Sequence, residues 1–481
     1  MVDNLKQKTL GGLFWSFLER AGTQFISFLV SLVLARILMP DDYGIIAIVL
    51  VFINICDVFV KGGMGSALVQ KKNVDEKDFS TIFWISLLIC LILYGILFVT
   101  APMIARFYKT PILCDVIRVL GLRLPISSYN TVQRAIVSRE MRFRVYFYAS
   151  MVGVVLSAVV GIMMAYYNYG VWALVWQQIA SAVFSSIVVA IFVRWYPKFV
   201  FSFKSFKALF AFGWKVLVAG LIDVLYEDFR SLYVGKLYTP ADLAYYTRGK
   251  QFPALIVDNI NTSIATVLFP VMSKKQDDVI AVKTMVRRSI KTSSFIIMPL
   301  MFGLAAIARP LVLLLLTEKW LPCVPFLQIL CINYAIMPLQ TANVQAIYAI
   351  GRSDIVLRLN IIKKSVGFVS ILLFATISVK AMAWGGVFVG LFAFIVNASP
   401  NKKLINYSYL EQIKDLLPCI ALSAVMFGVV YLMNFLPINS SIILMILQIL
   451  IGGGVYYGLS YLFKLDSLEY ILTIIGEFKK K

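Results

Sequence analysis

The chain has 481 residues, 60% of them hydrophobic and only 14% charged, yet it carries a net charge of +21. Soluble proteins hold roughly a quarter charged residues, so this composition excludes a water-soluble fold. The absence of histidine also removes imidazole metal ligands, Ser-His-Asp triads and histidine proton relays together.

Fourteen apolar stretches follow one another along the chain. The first six cover 11–38, 43–66, 79–104, 112–135, 145–167 and 170–195. The next six cover 206–237, 242–270, 287–316, 323–349, 356–379 and 381–398, and two more cover 413–436 and 440–463. Their apolar periodicity is helical, and strictly alternating segments of barrel-strand length are missing. The pattern predicts an all-α polytopic membrane protein of about 14 transmembrane helices, with no region polar enough for a separate soluble domain. The opening MVDNLKQKTLGGLFW leads into an apolar run that continues to Leu38, which reads as an uncleaved first span and not a signal peptide. Cys56, Cys90, Cys114, Cys323, Cys331 and Cys419 sit in or beside apolar segments without a CxxC pair, and read as small hydrophobes.

The loops alternate between rich and poor in Lys and Arg. The N-terminus, the even-numbered loops and the C-terminus hold 30 of the 45 basic residues, and the other loops hold seven. The positive-inside rule places the first set, and both termini, in the cytoplasm. An even number of spans is then required, and fourteen meets it. The +21 charge is therefore mostly topology, and no nucleic-acid partner is expected: a basic soluble domain with interleaved aromatics is absent.

A repeat appears at an offset of 200 residues. ARILMPDDYG (35–44) lines up with GKLYTPADLA (235–244), matching Pro40 to Pro240 and Asp42 to Asp242. Both segments follow an odd-numbered span, the first and the seventh. The reading is two parallel six-span repeats, 1–200 and 201–400, with spans 13 and 14 and a cytoplasmic tail in 401–481. The alternative is two ordinary outer turns that both use Pro and Asp.

Eight basic residues belong to neither set and lie inside predicted spans: Arg20, Lys61, Arg118, Arg123, Lys215, Arg230, Arg248 and Lys250. A charge at the bilayer centre costs from about 3 to over 10 kcal/mol, and persists where it is paired, snorkels or faces water. Asp57 and Lys61 form an acid-first i,i+4 pair, and Asp223, Glu227, Asp228 and Arg230 crowd the seventh span. Arg118 and Arg123 have no acidic residue between them. Arginine's planar fork matches phosphate, so Arg20, Lys61, Arg118, Arg123, Arg230 and Arg248 are the candidate ligands of an anionic substrate such as a diphosphate. Glu19, Asp57, Asp223, Glu227 and Asp258 are candidates to carry a coupling H+ or Na+, or else neutralise the arginines. Asn333, Gln340, Asn343 and Gln345 offer contacts to sugar hydroxyls, with interhelical hydrogen bonding as the alternative. No phosphate loop, no DxD pair and no large outer loop is present. The reading is a secondary transporter, not an enzyme, with no catalytic residues, metal site or cofactor.

The stretch 11–72, with its LARILMPDDYG turn and ALVQKK ending, and VQRAIVSREMRFR (132–144) carry a family resemblance. They resemble the polysaccharide-transporter branch of the multidrug/oligosaccharidyl-lipid/polysaccharide exporter superfamily, the Wzx-type flippases, most closely exporters of colanic-acid or teichuronic-acid type. The resemblance implies two six-helix lobes in a V shape plus two extra C-terminal helices, located in the bacterial cytoplasmic membrane. It implies alternating-access flipping of an undecaprenyl-diphosphate-linked oligosaccharide, with membrane lipids and the polysaccharide polymerase machinery as candidate partners. The family has no fixed signature from which binding residues transfer. The competing readings are an ion-coupled drug or cation exporter of the same superfamily and a non-transporting assembly scaffold.

Overall fold

The computed structural model describes residues 2–61, 63–71, 74–438 and 440–479, with the side chains of 2–14, 17, 61, 208, 212, 474, 475 and 477–479 excepted. Among the described residues every regular element is helical and no strand occurs. The chain forms two compact units, Met1–Ala244 and Tyr245–Lys481.

Unit 1 contains α1 (Val2–Ile37), α2 (Pro40–Lys61), α3 (Met64–Gln70), α4 (Glu76–Phe107) and α5 (Leu113–Gly121). It continues with α6 (Arg123–Arg139), α7 (Phe143–Tyr166), α8 (Val171–Val193) and α9 (Phe203–Leu237), and ends within the first turn of α10 (Pro240–Ser273). The rest of α10 opens unit 2, followed by α11 (Val279–Ala306), α12 (Ala308–Leu315), a 3-10 helix (Glu318–Cys323) and α13 (Val324–Ala349). Then come α14 (Ser353–Ala375), α15 (Val379–Leu404), α16 (Tyr409–Leu432), α17 (Ser441–Leu462) and α18 (Asp466–Lys479).

Among the described residues, eleven helices are long and apolar enough to cross a membrane, or twelve when the two arms of α9, bent by 49°, count as one span. The expected count of fourteen is not reached on that measure. The shortfall lies in spans 4 and 11. Span 4 divides at Leu122 into α5 and α6, and α6 is rich in polar side chains. Span 11 is α14, which carries Arg358, Lys363 and Lys364. The outward surfaces are those of a membrane protein: Val99, Met103, Leu373 and Leu450 are each more than 60% exposed, in keeping with lipid rather than water as their solvent.

The 200-residue repeat recurs in the helix ends. α1 stops at Ile37 and α9 at Leu237, and α2 and α10 restart at Pro40 and Pro240. Proline suits this first helical position because its missing N–H would lack a partner anyway. In both copies the aspartate two residues on accepts the backbone N–H that precedes the proline: Met39 N–H to Asp42 Oδ2 at 3.1 Å, and Thr239 N–H to Asp242 Oδ2 at 3.2 Å. The shared Pro and Asp therefore do the same local work, satisfying helix-start donors.

Small residues let helices approach closely. Between α2 and α3, Gly63 adopts φ +83°, and a Cβ there would lie 1.9 Å from the carbonyl oxygen of Gly213 on α9. On α7, Gly153 faces Ser181 and Ser185 of α8, and Gly161 faces Gln177. In unit 2 the packing includes polar cross-links. Asn343 (α13), Asn401 (α15) and Gln412 (α16) are fully buried and bond one another, with Asn343 Nδ2 to Gln412 Oε1 at 2.8 Å, Gln412 Nε2 to Asn343 Oδ1 at 2.9 Å and Asn401 Nδ2 to Asn343 Oδ1 at 2.6 Å. Gln340 donates to the Gly390 carbonyl at 2.9 Å. For Asn343 and Gln340 the interhelical reading is the one realised.

Candidate functional site

The second half of predicted span 4 supplies the centre of a polar cavity of about 690 Å³ within unit 1. Along α6, Arg123, Ser127, Asn130, Thr131, Arg134 and Ser138 line it, spaced so that one helix face carries all six. α8 opposes them with Gln178, Ser181 and Ser185, α7 with Ser150 and α1 with Thr23. The two-turn α3 adds Ser66 and Gln70.

α3 is too short to hold its own conformation, and Arg139 holds it. The Arg139 Nη1 donates to the carbonyls of Leu68, Val69 and Lys71, at 2.7, 3.2 and 2.5 Å. These are among the carbonyls that a helix C-terminus leaves without intrahelical donors, and a cation is favoured there. Lys71 then pairs with Asp78 at the start of α4, at 2.6 Å.

Arg123 stands at the first position of α6, immediately after the break at Leu122. Its Nη1 donates to Gln178 Oε1 at 3.3 Å, and its Nη2 faces Asp57 Oδ2 at 3.5 Å. Both distances are long for hydrogen bonds, so the guanidinium is positioned without being used up. Arg134, further along the same face, is exposed and lies over the Tyr146 ring at 5.8 Å. Asn130 donates to Ser186 Oγ at 2.7 Å, while its own Oδ1 has no hydrogen-bond partner among the described residues. Ser150 donates to Glu19 Oε1 at 2.8 Å, so that carboxylate stands one hydrogen bond behind the wall. Among the described residues, the lining thus carries two guanidinium groups, many hydroxyls and amides, and no carboxylate. It suits a ligand that is both anionic and rich in hydroxyls.

The residues singled out from the sequence do not all converge here. Arg123 lines the cavity, and Asp57 and Glu19 sit behind its wall. Arg118 lies on α5, across the break, where its guanidinium covers the Phe98 ring at 4.4 Å and its Nε donates to the Phe98 carbonyl at 3.4 Å. Arg20 is exposed on α1 and is not among the lining residues. The Lys61 side chain lies outside the described residues. Asp223 and Glu227 are exposed on α9 and Arg230 is half-buried there, while neighbouring Asp228 accepts from Asn54 Nδ2 at 3.1 Å. In unit 2, Arg248 is buried, covers the Trp320 ring at 5.0 Å and donates to Gln251 Oε1 at 2.6 Å, and Asp258 is exposed. From the sequence, Arg134 falls in the set of basic residues that the positive-inside rule assigns to the cytoplasm. The serine, asparagine and glutamine lining was missed, although its spacing along α6 and α8 was visible.

The family is decided by residues 33–325, which match the polysaccharide biosynthesis protein family. The chain belongs to that family. Among similar proteins, the succinoglycan biosynthesis transport protein ExoT of Rhizobium meliloti is 26% identical over 323 residues, 67% of this chain and 65% of that one. The teichuronic acid biosynthesis protein TuaB of Bacillus subtilis is 25% identical over 295 residues, 61% of each chain. The chain thus matches under two thirds of the length of each relative. Among solved structures, the lipid II flippase MurJ in its inward closed conformation superposes with a TM-score of 0.77 at 17% identity, covering 95% of this chain and all of that one. This likeness establishes the fold of a polytopic helical membrane protein. The polysaccharide biosynthesis family is also the one that residues 11–72 and 132–144 resembled.

Proposed function

We propose that this family member is a secondary transporter that flips a lipid-linked oligosaccharide across the bacterial cytoplasmic membrane during surface polysaccharide biosynthesis. The observation that carries the proposal is the cavity of unit 1, where Arg123 and Arg134 share one face of α6 with Ser127, Asn130, Thr131 and Ser138. A diphosphate linkage, as in undecaprenyl diphosphate, meets the guanidinium groups, and the sugar hydroxyls meet the serine, threonine and amide side chains. The names of the two relatives and the fold shared with a lipid II flippase support the same reading. Transport proceeds by alternating access, with both termini cytoplasmic and the six-span repeats 1–200 and 201–400 as the two halves of the cycle. Glu19 and Asp57 are the carboxylates placed to exchange a coupling H+ or Na+, because each contacts the wall of the cavity through a group that the head group also meets.

The test is the double variant Arg123→Gln/Arg134→Gln, expressed in a host lacking the native gene. Surface polysaccharide is lost and the lipid-linked oligosaccharide accumulates, at unchanged membrane levels of the protein. Arg118→Gln, which removes a residue outside the cavity, exports normally. Normal export by the double variant overturns the assignment.

A further inference from the structure

We infer that a second cleft, in unit 2, binds a phosphate-bearing anion. The cleft has a volume of about 330 Å³ and is lined on α11 by Thr284, Arg287, Arg288, Lys291 and Thr292, and on α18 by Asp466, Ser467 and Tyr470.

Its cations are not equivalent. Arg287 is committed, because its Nε and Nη2 form a fork onto the two oxygens of Asp415, each at 2.7 Å. Asp415 is held further by the Tyr407 hydroxyl at 2.8 Å. Burial, and then that hydrogen bond, push the Tyr407 phenol above its ordinary range, so it remains a donor at neutral pH. Arg288 lies over the Tyr470 ring at 4.5 Å and has no carboxylate within ion-pair distance among the described residues. Lys291 is 3.6 Å from Asp415 and 2.9 Å from Asp466, and the Asp466 side chain is 82% exposed. An exposed ion pair of this kind contributes little and is readily exchanged. The cleft therefore presents one guanidinium and one exchangeable ammonium beside the hydroxyls of Thr292 and Ser467, with Ser467 in the first turn of α18, where backbone N–H groups favour an anion.

Phosphate fits this set: the guanidinium takes two oxygens, the ammonium a third, and the hydroxyls complete the shell. Two sources share that chemistry, an anionic phospholipid head group and free inorganic phosphate. The lipid is favoured by α18, whose sequence DSLEYILTIIGEFK is strongly amphipathic, as in helices that lie in a membrane interface.

The experiment uses the full chain in detergent, titrated separately with short-chain phosphatidylglycerol, short-chain phosphatidylcholine and inorganic phosphate, with thermal stabilisation giving apparent affinities. Phosphatidylglycerol stabilises the wild type more than phosphatidylcholine does. Arg288→Gln/Lys291→Gln weakens that binding about tenfold or more, the scale expected for lost charge-assisted hydrogen bonds. Asp466→Asn, which frees Lys291 without removing a cation, strengthens it. The same ranking of variants with inorganic phosphate assigns the site to the free ion, and a ranking seen with phosphatidylglycerol alone assigns it to the head group. Equal affinities for wild type and both variants, or no stabilisation by either anion, overturn the inference.

Discussion

The contact between Arg123 and Asp57 permits a test that separates folding from transport. Arg123→Gln removes a cation beside a carboxylate whose side chain is only 8% exposed, while that of Arg123 is 21% exposed. Breaking a fully buried ion pair costs about 3–5 kcal/mol. This pair is long, at 3.5 Å, and partly open, so the loss of stability is about 1–3 kcal/mol. The effect on transport has a different origin. Each charge-assisted hydrogen bond from Arg123 to a head-group phosphate contributes about 1.5–3 kcal/mol, a factor of about 10 to 150 in binding. Adding Asp57→Asn to Arg123→Gln replaces the ion pair with two neutral amides, so thermal stability in detergent recovers. Export, measured as surface polysaccharide in a host lacking the gene, stays low. If the double variant regains export together with stability, Arg123 acts only as a counter-ion and the binding argument fails. If Arg118→Gln is as damaging as Arg123→Gln, the division of span 4 at Leu122 does not separate the two arginines functionally.

Two further expectations concern packing. Gly63→Ala places a Cβ 1.9 Å from the Gly213 carbonyl at a position with φ +83°, so folded protein recovered by size-exclusion chromatography falls sharply; recovery equal to wild type would refute the close approach of α9. Asn343→Ala strands the amide of Gln412 and leaves Asn401 only its bond to the backbone carbonyl at position 343; it lowers stability by about 1–3 kcal/mol, read as a lower thermal midpoint, while protein that remains folded exports at the wild-type rate. An export defect at full stability would return Asn343 to the list of substrate contacts.

The features legible in the sequence were those set by local chemistry or by the bilayer. Pro40 with Asp42 and Pro240 with Asp242 could be paired by eye because a helix start is specified within a few residues. The long apolar runs could be read because lipid imposes their length. The cavity is less legible, because intramembrane charges stand out in an apolar sequence and hydroxyls do not. Ser127, Asn130, Thr131 and Ser138 fall on the face of Arg123 and Arg134 at ordinary helical spacing, and that stripe was available in the residues. Arg118 and Arg123 are five positions apart, roughly 140° around a helix at 3.6 residues per turn, so they were poor candidates to converge even before the break at Leu122. Arg134 reads first as an orientation signal, because it is a basic residue near a span end. What no pattern disclosed was Arg139 reaching α3, a contact between positions about 70 apart in the chain.

That contact has a consequence for how such a carrier can change cargo over evolutionary time. The other walls of the chamber are long helices whose remaining faces are tied to the lipid or to neighbouring helices, so an altered residue there risks the whole bundle. α3 is a seven-residue insert supported from its carbonyl end by a side chain that reaches its backbone carbonyls. Positions 66 and 70 can therefore vary in size and polarity while their scaffold stays the same. The chamber has one wall that can be redrawn independently of the others, and variation concentrated there would adapt an existing carrier to a new glycan.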